Sequence, residues 1–382
     1  MSFKANKAAV LSIFISLFAQ MQAISLLGIA IPINLLNQGV DVSHIGLIMA
    51  FYSVGLIIGC LQGKKFINQV GHIRAFAGFA SLSAIVAILH NLTEYFILSA
   101  VFRLLSGASA AVLIVVLESW CLAIAKKSNN RRLIATYQMV FYLAMGSGLL
   151  LINVIPMDLK SAYLLAALLF CLALLPMTLV RIKDPIIVVG QAMGLRHLCK
   201  LSPCGVIGAI AAGSAIGSIY NLAPVYAKEL GNSTLETTLF MSSIVFSGVF
   251  LQHMIEKLSR YIDRTKVLAS VLTVLCVFTY VFIIHAQTLP LPILGICLGS
   301  FIACLYPLSL NITADKVDEN SAIAASSTML LFYAIGGFSG PVLSSRAMNL
   351  FGVDSLFYYL GLSSFLAVVL ILLIRKRAVS TT

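Results

Sequence analysis

This sequence has few charged residues, and that shortage sets the class of protein. Only 10% of its 382 residues are Asp, Glu, Lys or Arg, whereas 60% are hydrophobic. A typical soluble protein carries about 25% charged residues, so a soluble fold could not cover this much apolar surface. The composition therefore predicts a polytopic membrane protein and argues against an ordinary soluble domain.

The sequence also lacks the patterns of a metal, cofactor or nucleotide site. The eight cysteines form no CxxC pair, and no two of the six histidines lie four residues apart. The string closest to a phosphate-binding loop, GCLQGKK at 59–65, is one residue short and lacks the final Ser or Thr. We therefore expect no disulfide, metal or cofactor, and no ATP-driven pump within this chain.

Apolar runs of spanning length, separated by short polar breaks, predict an all-α membrane protein with twelve transmembrane helices. The predicted bounds are 8–36, 44–63, 74–91, 95–125, 133–155, 162–181, 204–227, 236–255, 267–285, 291–313, 322–348 and 355–374. A stretch of mixed polarity, 183–203, is predicted to be a cytoplasmic linker. It separates an N-terminal six-helix bundle, 1–182, from a C-terminal one, 204–382.

The basic residues predict how the helices cross the membrane. If both termini are cytoplasmic, 21 of the 25 Lys and Arg lie on that side, three lie on the other side, and Arg103 lies inside a span. Positive residues concentrate in cytoplasmic loops, so this split predicts cytoplasmic termini and an even number of spans. Topology thus accounts for the net charge of +12, and we expect no nucleic-acid partner.

The two halves of the sequence match at a constant offset of 192 residues. Gly39 corresponds to Gly231 in the first outer loop of each half, and Gly107 corresponds to Gly299. A parallel repeat of six helices predicts two bundles that are related by an axis along the membrane normal, with a central substrate site between them.

The predicted fourth helix carries two charges, Arg103 and Glu118. Charges within hydrocarbon are rare and costly, and they usually face a protein interior or a water-filled cavity. Fifteen helical steps leave the two side chains on similar faces, about 22 Å apart along the axis. The matching positions of the second half are Gly295 and Leu310, so the charged pair belongs to the first half alone.

Each of these charges has two interpretations. Arg103 is either a cavity cation that binds an anionic group or tunes a nearby acid, or a structural arginine that binds backbone carbonyls of a neighbouring helix. Glu118 is the only acid placed well inside a predicted span. It either carries a proton, because a carboxyl can be charged in one state and neutral in another, or pairs with a cytoplasmic base such as Lys126.

Polar and aromatic side chains within the spans are predicted to line a central pocket. Apolar walls with a few polar groups suit a small organic ligand. The alternative is that each side chain makes a hydrogen bond between packed helices. The candidates are Gln20, Gln22, Ser25, Tyr52, Tyr137, Gln138, Tyr142, Tyr220, Asn221, Tyr306, Asn311 and Tyr333.

With these features the chain resembles the major facilitator superfamily over essentially its whole length. RLLSGASAA at 103–111 is similar to the family's fourth-helix pattern R-x-x-x-G-x-x-A-A, and the resemblance implies a role in proton coupling for Arg103. GKKFINQVGHIR at 63–74 occupies the place of the family's loop between helices 2 and 3, a cytoplasmic latch. Asn68 stands where the family has an aspartate, so we expect any latch here to use other residue pairs.

One family motif departs from its usual place. The family's antiporter pattern ends the fifth helix with G-P, whereas this chain has GSG at 146–148 there and GGFSGP at 336–341 in helix 11. This departure weakens the case for drug/proton antiport without removing it. Strings such as VVLESW at 115–120 and YPLSL at 306–310 are similar to small bacterial efflux or solute transporters.

The resemblance implies a secondary transporter of the bacterial cytoplasmic (inner) membrane. Its two bundles are expected to rock about a site lined by helices 1, 4, 5, 7, 10 and 11. We expect a monomer that uses a proton gradient to move a small organic solute, with efflux slightly favoured over uptake of a metabolite or siderophore. The rival classes are a polytopic membrane enzyme, for which no catalytic His/Asp/Glu cluster is visible, and a non-transporting receptor.

Overall fold

The fold is helical throughout the part of the chain that can be described. The computed structural model describes residues 3–93, 95–128, 132–154, 159–180, 193–259 and 261–380. These residues form thirteen helices, of which twelve are 19 to 35 residues long, and they include no strand. The predicted all-α fold with twelve long helices is therefore confirmed.

The helix bounds follow the predicted runs closely. The first half contains α1 (Phe3–Asn37), α2 (Val42–Val70), α3 (His72–Leu92), α4 (Phe96–Ser128), α5 (Arg132–Leu150) and α6 (Leu159–Leu179). A short helix, α7 (Leu195–Leu201), lies within the predicted linker. The second half contains α8 (Pro203–Glu229), α9 (Thr234–Leu258), α10 (Arg264–His285), α11 (Leu291–Ala314), α12 (Glu319–Phe351) and α13 (Ser355–Ser380).

The long helices have the size and polarity of membrane spans. In the described chain, eleven of them, all except α9, contain a window apolar enough to cross a bilayer. The α9 helix has 25 residues, which is also a sufficient length. The protein is therefore a multi-pass membrane protein.

The segment 63–74 is not the loop that the sequence predicted. The α2 helix continues to Val70, and only Gly71 separates it from α3. Gly71 has a φ of 90°, a conformation that favours glycine and lets the chain reverse within one residue. The polar run after Gly63 therefore extends α2 by about two turns beyond the predicted span.

The chain divides into two compact units. The first comprises Met1–Leu35 and Phe51–Val189, and the second comprises Leu36–Ala50 and Gly190–Thr382. Within the first unit, α3 packs against α4 and α6; within the second, α8 packs along α12, and α9 along α11. The predicted domain boundary at 183–203 stays a prediction, because most of that linker lies outside the described residues.

Glycine contacts at matching positions reveal one packing pattern in both units. A Cβ added to Gly107 would lie 2.0 Å from the carbonyl oxygen of Tyr52, and one added to Gly299 would lie 2.1 Å from that of Ile244. Tyr52 and Ile244 are also 192 residues apart. Only glycine allows α4 to approach α2, and α11 to approach α9, at these distances.

A second pair of glycines repeats the pattern elsewhere. A Cβ added to Gly148 of α5 would lie 2.7 Å from the Cα of Gln22, and one added to Gly340 of α12 would lie 2.8 Å from the Cα of Ser214. These positions again differ by 192 residues. The internal repeat of the sequence is therefore a repeat of helix contacts.

Candidate functional site

Arg103 lies in the first third of α4, buried inside the first unit. The residue is 4% exposed. Its guanidinium carbon lies 4.6 Å from the centroid of the Tyr52 ring, a cation–π contact between α4 and α2. Gly107, one helical turn further along α4, lies against the Tyr52 carbonyl, so the same close approach of the helices sets both contacts.

Three more polar side chains, from α1, α3 and α6, are linked to Arg103 directly or through one another. The Asn34 Nδ2 donates a hydrogen bond to the Tyr163 Oη at 3.2 Å. The His90 and Tyr163 rings are stacked, with centroids 6.3 Å apart. Arg103 interacts electrostatically with both Tyr163 and His90. We call Asn34, Tyr52, His90, Arg103 and Tyr163 the Arg103 cluster.

The Arg103 cluster contains a positive charge and no acid. Among the described residues no carboxylate pairs with Arg103, and its Nε has no hydrogen-bond partner. His90 is 4% exposed, and its Nε2 likewise has no partner there. A buried charge without a counter-ion is costly and usually marks a functional group.

Glu118 lies about 22 Å further along α4, towards the end predicted to be cytoplasmic. The residue as a whole is exposed. It interacts electrostatically with Lys64 on α2 and with the side chains of Cys121 and Tyr137. Within the described chain, Glu118 forms no hydrogen bond or ion pair.

Arg103 and Glu118 therefore belong to separate environments. The partners of Arg103 are the members of its cluster, and none of them interacts with Glu118. The side chain of Lys126, which the sequence suggested as a partner of Glu118, lies outside the described residues.

The polar candidates of α1 differ in their surroundings. Gln20 is fully buried, and neither atom of its amide has a partner in the described chain. The Gln22 Nε2 donates to the Ser147 Oγ on α5 at 3.3 Å. Ser25 is buried and donates to the Gln22 carbonyl of its own helix at 3.2 Å. Gln22 thus joins two helices, whereas Gln20 leaves hydrogen-bonding capacity unused.

The three candidates of α5 face different surroundings. Tyr137 is 4% exposed, and its hydroxyl has no hydrogen-bond partner among the described residues. Gln138 is exposed. Tyr142 is half-buried and packs edge-on against Phe141, with ring centroids 5.5 Å apart.

Two candidates of the second half come together. The Tyr306 ring on α11 and the Tyr333 ring on α12 have centroids 4.8 Å apart, and both residues are half-buried. Tyr220 is also half-buried. The Asn221 Nδ2 donates to the Gly217 carbonyl of its own helix at 2.7 Å, so this hydrogen bond does not link α8 to a neighbouring helix.

Asn311 lies near the end of α11, beside both apolar and polar side chains. It lines a cavity of about 220 Å³ together with Gln252 and Cys304. Its backbone carbonyl accepts a hydrogen bond of 3.3 Å from the Nη1 of Arg264, the first residue of α10.

Two ion pairs link helix ends of the second unit near Asp263, which matches Gly71 of the first half. Arg264 pairs with Asp315, and the Arg375 Nη2 lies 2.9 Å from the Asp263 Oδ2. Asp263 also accepts a 2.7 Å hydrogen bond from the Thr265 backbone N–H. Burial acts to raise the pKa of Asp263, but this N–H and the Arg375 charge outweigh it and hold the pKa below its usual range.

Sequence reasoning missed three members of the Arg103 cluster: Asn34, His90 and Tyr163. A usable signal was the short connection between α3 and α4. Two antiparallel helices joined by a few residues bring the end of one beside the start of the next, which places His90 next to Phe102, with ring centroids 5.4 Å apart.

Comparison with known families agrees with this architecture. The sequence profile of the Major Facilitator Superfamily matches residues 13–298 and 264–382. An uncharacterized MFS-type transporter of Enterobacter sp. (strain 638) is 27% identical over 368 residues, which cover 93% of this chain and 92% of the relative. The MFS-type transporter YcaD of Escherichia coli O7:K1 is 25% identical and covers 92% of this chain and 91% of its own.

Solved structures share the fold at low sequence identity. A mutant of the nucleoside transporter NupG superposes with a TM-score of 0.83 at 10% identity, covering 95% of this chain and 99% of its own. A D-xylose–proton symporter superposes with a TM-score of 0.69 at 14% identity, covering 97% of each chain. At these identities the likeness concerns the fold alone.

Proposed function

Because the chain belongs to the Major Facilitator Superfamily, we propose that it is a proton-coupled secondary transporter of a small organic solute. The solute crosses the cytoplasmic membrane by alternating access of the two six-helix halves, and both termini lie in the cytoplasm. We propose a monomer that exports an amphipathic compound. The alternative is proton-driven uptake of a metabolite or siderophore. Membership of a transporter family argues against a membrane enzyme.

The environment of Glu118 is the observation that carries this proposal. Glu118 is, as a whole residue, exposed within a span, and its carboxyl has no hydrogen bond or ion pair among the described residues. A carboxyl without a fixed partner can gain and lose a proton without breaking a bond, which a proton carrier requires. One proton that crosses a potential of 100 mV gains about 2.3 kcal/mol, enough for modest accumulation of a solute.

The half-buried tyrosines support a small organic substrate. Tyr306 and Tyr333 present two adjacent rings, and Tyr220 and Tyr142 are also partly accessible. Aromatic rings with a polar tip suit a ligand that is apolar over most of its surface. We propose these residues, with Gln20, as substrate contacts.

Transport into proteoliposomes tests the proposal. A panel of organic compounds is measured with and without an imposed pH gradient, in native protein and in Glu118→Gln. We expect native flux to follow the gradient, and Glu118→Gln to lose the pH-driven part while it still binds the compound. Glu229→Gln is the matched control, because Glu229 is an exposed glutamate at the end of α8.

Two outcomes would contradict the proposal. Flux of the same size with and without the pH gradient, or no flux for any compound, would exclude proton-coupled transport. If flux driven by the pH gradient persists in Glu118→Gln, the proton site lies at another residue.

A further inference from the structure

The Arg103 cluster has the composition of an anion site, and we propose that it binds a small monovalent anion. The anion is either a free inorganic ion or the carboxylate of a solute. The site lies within the first unit, among α1, α2, α3, α4 and α6, and is separate from Glu118. It is also separate from the proton-coupling role that the family resemblance implies for Arg103.

Three groups of the cluster, on Arg103, Tyr163 and His90, can donate a hydrogen bond and lack an acceptor among the described residues. The Arg103 Nε–H has no partner in the described chain. The Tyr163 oxygen accepts from Asn34, which leaves the Tyr163 hydroxyl hydrogen free to donate elsewhere. The His90 Nε2 is also without a partner there, and it donates when that nitrogen carries the proton. An anion satisfies these donors together, whereas an apolar group satisfies none of them.

The charge of the cluster agrees with its donors. Arg103 stays protonated in proteins, and no carboxylate among the described residues neutralises it. The Tyr52 ring stabilises the cation through its π face, but it accepts no hydrogen bond from the Nε in the plane of the guanidinium. The positive charge is thus held in place and left without a counter-ion.

The second unit shows that the scaffold does not need an arginine at this position. The positions that match His90 and Arg103 are Phe282 and Gly295. Phe282 is fully buried and stacks on Phe357 with ring centroids 3.9 Å apart. The same location is therefore filled by aromatic packing in one unit and by an uncompensated cation in the other, so packing alone does not explain Arg103.

Anion-dependent thermal stability of the purified full-length protein tests this inference. The probes are bromide, acetate and gluconate as sodium salts at equal ionic strength. Gluconate is the reference, because its polyol chain is too bulky for a buried cluster. A ligand that binds only the folded state raises Tm. We expect bromide or acetate to raise the native Tm above its value in gluconate by roughly 2 °C or more.

Two arginine variants separate this site from general salt effects. Arg103→Gln should lose the anion-specific rise in Tm, whereas Arg346→Gln should keep it, since Arg346 is exposed at the end predicted to be extracytoplasmic. An equal rise in native protein and Arg103→Gln, or no rise in native protein, would overturn the proposal. If Arg103→Gln does not fold, Tyr163→Phe replaces it; an unchanged half-saturating anion concentration in Tyr163→Phe would then overturn the proposal.

The choice of anion distinguishes the two sources. Stabilisation by bromide supports a free inorganic ion, and stabilisation by acetate without bromide supports the carboxylate of a solute. Binding is measured without a membrane or a gradient, so the proposal does not rest on proton coupling. Failure of transport in Glu118→Gln and failure of anion binding in Arg103→Gln are separate results.

Discussion

The two units place the same helix contacts around different chemistry. In the first, Gly107 lets α4 approach α2 beside Arg103; in the second, Gly299 lets α11 approach α9 beside Gly295. The repeat aligns Asn34 and His90 of the Arg103 cluster with Tyr226 and Phe282, two rings that pack against each other and against Phe357. The scaffold of the repeat is retained, whereas the side chains at this position have diverged.

This difference suggests that the units have different tasks. In the second unit Phe282 is fully buried among aromatic rings, and Tyr226 donates to Asp354 at 3.1 Å, so polar and apolar groups are satisfied. In the first unit, Arg103 and His90 keep polar atoms without partners among the described residues. Buried polar groups without partners reduce stability, and they are typical of functional sites.

The largest expected effect tests the shared scaffold. Gly107→Ala and Gly299→Ala each place a methyl group against a backbone carbonyl of the facing helix, at 2.0 and 2.1 Å in the present geometry. The helices must separate, and we expect each variant to lose about 3 kcal/mol of stability. Thermal unfolding of the purified protein in detergent measures the loss. Similar losses in both variants would support one packing pattern.

Gly78→Ala is the matched control for these variants. Gly78 lies within α3, and a Cβ added there would meet no atom within 4 Å. Alanine is the better helix former, so the control should be neutral or slightly stabilising. A loss in Gly78→Ala as large as in Gly107→Ala would show that close contact is not the cause.

The second prediction exchanges the chemistry of the two units at one matching position. Phe282→His puts an imidazole among packed rings, away from any intended hydrogen-bond partner, and we expect a loss of stability of roughly 2 kcal/mol. His90→Phe removes a buried polar atom without a partner, and we expect stability to be unchanged or higher. Unfolding of both variants is compared in one detergent. Equal losses of stability in the two variants would mean that native His90 stabilises its unit as much as native Phe282 does.

The twelve long helices could be predicted because a membrane span requires a long apolar run. Their ends could not all be predicted from hydropathy. The residues after Gly63 are polar, yet they continue α2 to Val70, since a helix satisfies its own backbone beyond the hydrocarbon. The short helix α7 was not predicted, because its seven residues are too few to show a period.

The candidate site was predictable only in part. Spacing along one helix predicted that Arg103 and Glu118 share a helix, and both lie in α4. The partners of Arg103 come from other helices, and their contacts depend on how each helix is rotated and how closely it packs. Asn34 and Tyr163 are 129 residues apart, and periodicity within one segment contains no information about that pair.

The third prediction concerns a position where the two units use different turn chemistry. Gly71 has a φ of 90°, and the matching residue, Asp263, is an N-cap with a φ of −48°. Gly71→Asp forces a residue with a side chain to adopt a left-handed backbone conformation, and we expect a loss of stability of about 1.5 kcal/mol. Asp263→Gly removes an N-cap and one exposed ion pair, and we expect it to lower the free energy of unfolding by about 1 kcal/mol. Chemical unfolding ranks the two; a larger loss in Asp263→Gly would reverse this account.

The smallest effect is a pH dependence confined to the second unit. The pKa of Asp263 is held below its usual range, because the Thr265 N–H and the Arg375 charge outweigh the opposing effect of burial. Folding therefore favours the ionised carboxylate. Its contribution is full above the ordinary aspartate pKa of about 3.9 and disappears as pH falls through the lower folded-state pKa.

Asp263→Asn isolates this contribution. The Arg375–Asp263 pair is partly exposed. We therefore expect the native protein to be more stable than Asp263→Asn by only about 0.5 kcal/mol at neutral pH, and by progressively less below about pH 4. Tm measured between pH 3 and 7 checks this. Asp318→Asn is the control, because Asp318 stands at the N-cap of α12 without a side-chain capping bond, and it should match the native protein throughout. A gap for Asp263→Asn that stays constant down to pH 3 would mean that it does not arise from the ionised carboxylate and would contradict this account.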